Sequence, residues 1–383
     1  HTRSASVSWG SEMCIRDRIK MRILLLANNV AGLISFRFEV VKAIIEQGHF
    51  ITISAPFDKR MNELEAIGAK CVTTEIDRRS TNPVKDFMLI CHYVNLIRKE
   101  KPDVVLSYTI KPNVYGGMVC RLYGIPQIVN ITGLGTAVEK TSRIQKIVFL
   151  LYKIGLRKSR RIFFQNEENK RFCEMHNLTP DCGSIIPGSG VNLIRFQLMD
   201  YPNDDTVKFI FISRIMKQKG IEQYLDTAIA IREEYPNTEF HILGYCEDAY
   251  QEKLKKLNNN KTIIYHGMTS DVRPFIANVH CIVHPTYYPE GMSNVLLESC
   301  ASGRPVITTN RSGCKEIVDD GVNGFIVEQQ NSEDLIGKVR KFLDLSFEEK
   351  KNMGIAARKK VEKQFDRNII VKAYLEAIDS IGS

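Results

Sequence analysis

From Met21 onward, short aliphatic or β-branched runs alternate with helix-length segments of mixed polarity. "RILLLAN", "FITISA", "DVVLSY", "QIVNIT" and "RIFFQN" have the length and near-continuous apolar character of buried strands. Between them, segments such as "SFRFEVVKAIIEQG" and "VKDFMLICHYVNLIRKEK" repeat their apolar positions at helical spacing. That alternation predicts a parallel sheet built from βα units. The pattern then restarts with "VKFIFIS", "EFHILG", "KTIIYHG", "CIVHP" and "RPVITT", accompanied by the helical "GIEQYLDTAIAIREEYP", "MSNVLLESCASG" and "SEDLIGKVRKFLDL". Two Rossmann-like α/β domains in series are expected, over residues 21–190 and 191–365, joined through the Pro- and Gly-punctuated "IIPGSGVNLIRF" at 185–196. A last helix in 366–383 is expected to pack back on the first domain. Ligands of open α/β sheets bind beyond the carboxyl ends of the strands, so the cleft between the two sheets is the expected site.

Composition agrees with a folded two-domain chain. The 383 residues exceed what one core usually holds, and 44% hydrophobic with 25% charged residues is an ordinary globular balance. No apolar run reaches the roughly 18 to 20 residues of a spanning helix. Ten cysteines without a C-x-x-C pair read as reduced, mostly buried thiols. Residues 1–20 fit none of this: they hold the only Trp and show no periodicity, and "VSWGSEMCIRDR" resembles translated adapter read-through, so the native chain is expected to begin at Met21.

Charge is shared unevenly. Residues 21–190 carry 24 Lys and Arg against 15 Asp and Glu, whereas 191–383 carry 25 against 27. The basic half implies an anionic partner. Nucleic acid is disfavoured, because no aromatic-interleaved basic motif or reading module appears. A nicotinamide-dependent oxidoreductase is disfavoured too, because no G-x-G-x-x-G follows the first strand. Within "RIQKIVFLLYKIGLRKSRR" (143–161), Ile144, Ile147, Val148, Leu151 and Ile154 recur at helical spacing among seven cations. Such a segment suits an anionic membrane face, and it equally suits a helix packing inward with its cations outward.

Two segments concentrate the candidate chemistry. In "FISRIMKQKGIEQYL" (211–225), Arg214 and Lys219 stand between a strand end and a glycine that opens a helix, a combination of fork donors, point charge and free N–H groups that suits a diphosphate. In "PEGMSNVLLES" (289–299), a loop runs into a helix expected to be capped by Ser293, with the N–H groups of Gly291 to Asn294 facing the cleft. Glu298 then lies about five residues, or roughly 7.5 Å, along that helix, about the distance from a phosphate to its ribose. Two solvated cations and a structurally paired glutamate are the plainer alternatives. No Asp-x-Asp or metal-ligand spacing is present, so no bound metal and no cofactor is expected.

In order along the chain, "SRIMKQKG", "PEGMSNVLLES" and "GCKEIVDDGVNGFIV" (313–327) resemble the phosphate site, the Glu-x7-Glu motif and the segment after it in family 4 retaining glycosyltransferases of the two-domain GT-B fold. "RRSTNPVKDF" (78–87), "PDVVLSYTIKPNVYG" (102–116) and "NITGLGTA" (130–137) are similar to the bacterial branch that builds capsule, O-antigen and N-glycan precursors. The resemblance implies transfer of a HexNAc, for example GalNAc, from a UDP-sugar to an undecaprenyl-diphosphate-linked saccharide, without metal, in the cytoplasm at the inner membrane face. It assigns Arg214 and Lys219 to the donor diphosphate, Glu298 to the ribose, and Glu290 with Gly291 and Met292 to the donor sugar, with Ser293 and Asn294 at the helix start. Glu290, Arg214 and Lys219 would carry catalysis, with same-face attack and the leaving phosphate accepting the proton. The chain departs from the pattern at three places. Tyr108, Thr109 and Lys111 stand where many members have a His, Cys246 follows Gly244 in place of a second glycine, and the first loop has Gly32 alone. Ser35 and Arg37 would compensate as phosphate contacts, or serve as a helix cap and a solvated cation. Gly32, Ser35, Arg37, Thr109 and Lys111 are thus the acceptor-side candidates. A UDP-HexNAc epimerase of the same fold is the nearest alternative.

Overall fold

The computed structural model describes residues 20–77, 82–134 and 143–382. Residues 1–19 of the expected tail, 78–81 of "RRSTNPVKDF", 135–137 of "NITGLGTA" and the side chains of Arg143 and Ile144 lie outside the described residues.

In the first domain β1 (Arg22–Leu26), β2 (Phe50–Ala55), β3 (Lys70–Thr73), β4 (Val104–Tyr108), β5 (Gln127–Ile131), β6 (Arg161–Phe164) and β7 (Gly183–Ile185) form one sheet in the order β3-β2-β1-β4-β5-β6-β7. Its pairings are parallel, with Ile23 of β1 opposite Ile51 on one side and Val104 on the other. Strands of this kind are covered on both faces, which is why β4 and β5 are buried at every position without alternation. Helices α1 (Val30–Glu46) and α2 (Met61–Ala66) cover one face. On the other lie α3 (Pro83–Glu100), α4 (Ile110–Tyr123), α5 (Arg143–Leu156) and α6 (Glu167–Met175). The second sheet runs β10-β9-β8-β11-β12-β13, from β8 (Val207–Ile212), β9 (Thr238–Leu243), β10 (Ile264–Tyr265), β11 (Cys281–His284), β12 (Val306–Thr309) and β13 (Gly324–Val327). It is also parallel, and α7 (Ile221–Glu234), α8 (Asp248–Asn259), α9 (Arg273–Ala277), α10 (Asn294–Ala301), α11 (Ser332–Leu343) and α12 (Phe347–Gln364) flank it. β3, β7 and β13 go beyond the strands the hydrophobic pattern names. Each is a sheet edge, where one partner suffices and a long apolar run is not needed.

The last helix, α13 (Arg367–Gly382), places Ile370, Tyr374, Ala377 and Ile378 in the core of the first domain beside Met21, Ile23 and Leu25. The chain thus crosses between domains twice, and the crossings run side by side: Val191 N donates to Phe365 O at 2.8 Å and Arg367 N to Val191 O at 3.1 Å. Strand order reverses between β1 and β4 in one sheet and between β8 and β11 in the other. Both reversals open carboxyl-terminal crevices of the kind that bind ligands. Among the described residues no helix is long and apolar enough to cross a membrane. Nine described cysteines are free, and of these only Cys91 is exposed.

Candidate active site

Arg214 follows β8 by two residues and Glu290 lies in the loop after β11, so both stand at the second domain's reversal point. Arg214 is exposed and has no hydrogen-bond or ion-pair partner among the described residues. Lys219 ends a single 3-10 turn, Lys217–Lys219, which stops at Gly220 with φ of 78°. No side chain fits at Gly220, because a Cβ there would stand 2.0 Å from Pro285 O. The turn is therefore wedged against the end of β11, and Lys219 Nζ reaches the Glu290 carboxylate and lies 5.0 Å from the centre of the Tyr288 ring. The lysine expected at the phosphate and the glutamate expected at the sugar thus form one largely buried ion pair. Beneath them His284 is buried, with neither ring nitrogen hydrogen-bonded, and burial together with nearby Lys219 keeps it neutral.

The helix after the loop begins at Asn294 and is positioned differently from the expectation. Ser293 occupies the N-cap position, but its hydroxyl makes no capping bond; its N–H donates to Gly313 O at 2.8 Å and is not free for a ligand. Met292 buries its side chain in the second core against Gly188, so only its backbone is available to the cleft. Gly291 and Met292 N–H have no acceptor among the described residues, and Asn294 Oδ1 is buried without a partner. Glu298 makes no side-chain hydrogen bond among the described residues. Burial pushes its carboxyl up to about 7, against the pull of Arg367 and Arg195. A carboxylate this poorly satisfied suits a diol donating two hydroxyl hydrogens.

On the acceptor side several expectations change. Arg37 is not solvated: it is 3% exposed, 5.4 Å from the Tyr108 ring centre and 5.9 Å from that of Tyr374, and its Nε has no partner. Ser35 caps nothing. Asn29 caps α1 by accepting from Ala31 N, while Ser35 offers only its carbonyl, to Arg367 Nη1 at 3.1 Å. Lys111 is already neutralised by Asp86 at 2.6 Å, a carboxylate that also accepts from Tyr115 OH. Gly32 lies in the first turn of α1, where an added Cβ would meet nothing closer than Asn29 Nδ2 at 3.4 Å, so the position does not demand glycine. Thr109 keeps its place at the end of β4. It holds φ 73° and ψ 165°, a region nearly restricted to glycine, with its Oγ1 buried and unpartnered.

Sequence reasoning missed two features. One is an open cavity of about 720 Å³ at the carboxyl ends of β9 and β10, lined by Tyr245, Cys246, Tyr265, Met268 and α8. The backbone brings it beside Arg214, since Ile215 bridges to Cys246. The other is Asn166, whose Nδ2 reaches across the cleft to Glu290 O and Gly291 O. In the sequence Asn166 only ends the strand-like "RIFFQN", with nothing to mark a contact 125 residues away.

Two Rossmann-like domains, each a parallel sheet whose strand-reversal point opens on the cleft between them, have the GT-B architecture of glycosyltransferases. The chain belongs to the GT4-type glycosyltransferases: residues 22–166 match the model for glycosyl transferase 4-like proteins and residues 200–360 that for glycosyl transferases group 1. It is 23% identical over 379 residues to the N,N'-diacetylbacillosaminyl-diphospho-undecaprenol alpha-1,3-N-acetylgalactosaminyltransferase of Campylobacter jejuni, covering 94% of this chain and 99% of that one. To the capsular polysaccharide biosynthesis glycosyltransferase CapM of Staphylococcus aureus it is 28% identical, over 74% of this chain and 78% of that one. Among solved structures, Anabaena Alr3699/HepE in complex with UDP-glucose superposes with a TM-score of 0.77 at 16% identity, over 94% of this chain and 100% of that one.

Proposed function

We propose that the protein transfers a HexNAc, GalNAc being the first candidate, from its UDP donor to a saccharide carried on a lipid diphosphate, with retention at the anomeric carbon. The observation that carries this reading is the Lys219–Glu290 pair beside an unpartnered Arg214, with Glu298 one helix turn further on. In the proposed complex Arg214, Lys219 and the free N–H groups of Gly291 and Met292 meet the diphosphate. Glu298 accepts from the ribose hydroxyls, Glu290 from a sugar hydroxyl, and the cavity at Tyr245, Tyr265 and Met268 takes the base. The bond from C1 to the diphosphate oxygen breaks while the acceptor oxygen bonds C1 on the same face. The acceptor's proton passes to the departing phosphate, whose growing charge the same cations and amides stabilise. The names of the relatives support a lipid-diphosphate acceptor, since the Campylobacter protein is named for one.

The same reading puts the first domain against an anionic membrane. On α5, Val148 and Leu151 pack inward, whereas Ile147 and Leu150 are 58% and 57% exposed among outward-facing Lys146, Lys153 and Arg157. Val84, Phe87 and Met88 form a second exposed apolar stripe at the start of α3. Purified protein incubated with UDP-HexNAc and a short lipid-diphosphate saccharide tests the reaction. UDP release that requires the acceptor is expected; epimerised HexNAc formed without acceptor would replace transfer by epimerisation.

A further inference from the structure

The loop carrying Glu290 and Gly291 belongs to the second domain, yet its carbonyls are held by the first. Asn166, buried at the start of α6, uses Oδ1 to cap that helix by accepting from Asn169 N at 2.8 Å. This turns its amide hydrogens away from α6, and Nδ2 donates to Glu290 O at 3.1 Å and Gly291 O at 2.6 Å. Both ends of the side chain are therefore engaged, one in each domain.

The consequence follows from peptide geometry. A trans peptide directs its C=O and the next N–H to opposite sides, and no cis peptide occurs among the described residues. Holding the carbonyls of residues 290 and 291 on Asn166 Nδ2 fixes the two peptide planes and turns the N–H groups of Gly291 and Met292 away from Asn166. A glycine would otherwise let these planes rotate freely. The surroundings show how closely the loop is gripped. A methyl group on Gly291 would stand 2.1 Å from Thr132 O and 2.3 Å from Gln165 Oε1. Gln165 itself is tied through Asn130 to Tyr374 of α13, with Asn130 Nδ2 donating to Tyr374 OH at 2.7 Å.

We propose that Asn166 is a positioning residue that clamps the Glu290–Gly291 loop across the closed cleft and thereby aims two backbone amides and the Glu290 carboxylate at the donor. The identity of that donor rests on the reading above; the clamp does not. Asn166→Asp is the selective variant. Asp caps a helix as well as Asn does, so α6 keeps its N-terminus, but a carboxylate has no hydrogen to give and faces two carbonyl oxygens. With UDP bound, small-angle scattering is expected to show a larger radius of gyration for Asn166→Asp than for wild type. Affinity for UDP, whose diphosphate the two amides would meet, should weaken, while kcat/KM for the UDP-sugar falls roughly 10- to 100-fold. Asn166→Ala, which loses cap and clamp together, should melt earlier than Asn166→Asp. An unchanged radius of gyration in Asn166→Asp overturns the clamp whatever the turnover, and so does a melting temperature as low as that of Asn166→Ala. A larger radius in the variant with no turnover by either protein leaves the clamp standing and removes the transferase reading.

Discussion

Glu298 is the buried carboxylate that the proposed reading assigns to the ribose. Its carboxyl is pushed by burial from the ordinary 4.5 to about 7, so the folded protein keeps a proton that the unfolded chain releases. Stability is therefore undiminished below about pH 4.5 and falls as pH rises towards 7, by up to about 3 kcal/mol. Ribose hydroxyls favour the ionised form, so UDP should bind more tightly as pH rises from about 6 to 8 and should release a proton on binding. Titration calorimetry in two buffers of different ionisation heat measures that proton. Glu298→Gln should abolish it and raise the melting temperature at pH 8, and proton release persisting in the variant would assign it elsewhere. Arg214 presents the opposite case, an exposed cation with nothing to hold. Arg214→Ala should leave stability within about 0.5 kcal/mol of wild type while lowering kcat roughly 10²- to 10³-fold. Turnover near the wild-type value in the folded variant would reject the diphosphate role. Both residues were legible as candidates because strand ends and helix starts present them. The pairing of Lys219 with Glu290 was not legible, because the two lie 71 residues apart and meet only once Gly220 is wedged against Pro285.

Elements were easier to read than their rims. Doubly buried parallel strands write themselves as apolar runs, so β1, β4, β5, β8 and β11 stand out, whereas three-residue β7 has one partner and no run to show. Turns and loops at the strand ends depend on close backbone approaches that a sequence records only as scattered glycines. Two of these glycines separate a contact within one domain from a contact between domains. At Gly244, with φ 146°, a Cβ would lie 1.8 Å from Ser213 O, and each of the two residues directly follows a strand of the second sheet. Gly244→Ala should therefore destabilise the fold itself, by roughly 2 to 4 kcal/mol. At Gly291 the obstructing atoms are Thr132 O and Gln165 Oε1 of the first domain, which can move away as a body if the cleft opens. Gly291→Ala should cost little in a thermal melt and most of the turnover. Melting curves beside steady-state rates compare the two variants, and a deep loss of stability in Gly291→Ala would show that the interface cannot open.

At the scale of the molecule, the two crossing segments are tied to the first domain by a partly buried charge cluster where the chain crosses for the second time. Arg367, which opens α13, donates to Glu39 Oε2 on α1 at 2.9 Å, to Ser35 O at 3.1 Å and to Gly190 O at 3.1 Å. Asn192, in the first crossing, donates to Glu39 Oε1 at 2.6 Å. None of this was legible in the sequence, since Arg367 and Glu39 are 328 residues apart and each resembles an ordinary helix-surface charge. Burial pushes the Glu39 carboxyl up, but the Arg367 guanidinium, with help from Asn192, holds it below its ordinary value of 4.5. A depressed carboxyl contributes stability above about pH 4.5 and loses it as pH falls through the folded value. The junction, not either core, should thus be the acid-sensitive part of the molecule. Arg367→Met leaves a partly buried carboxylate without its cation, which should cost roughly 1 to 3 kcal/mol. Because each sheet keeps its own core, the loss should appear in calorimetry as a single unfolding transition separating into two. Wild type should show the same separation as pH falls below 4.5, and Glu39→Gln should show it already at pH 7. A single transition lowered as a whole in all three cases would mean that the two cores cannot stand apart, and that the clamp at Asn166 closes a cleft whose hinge is rigid.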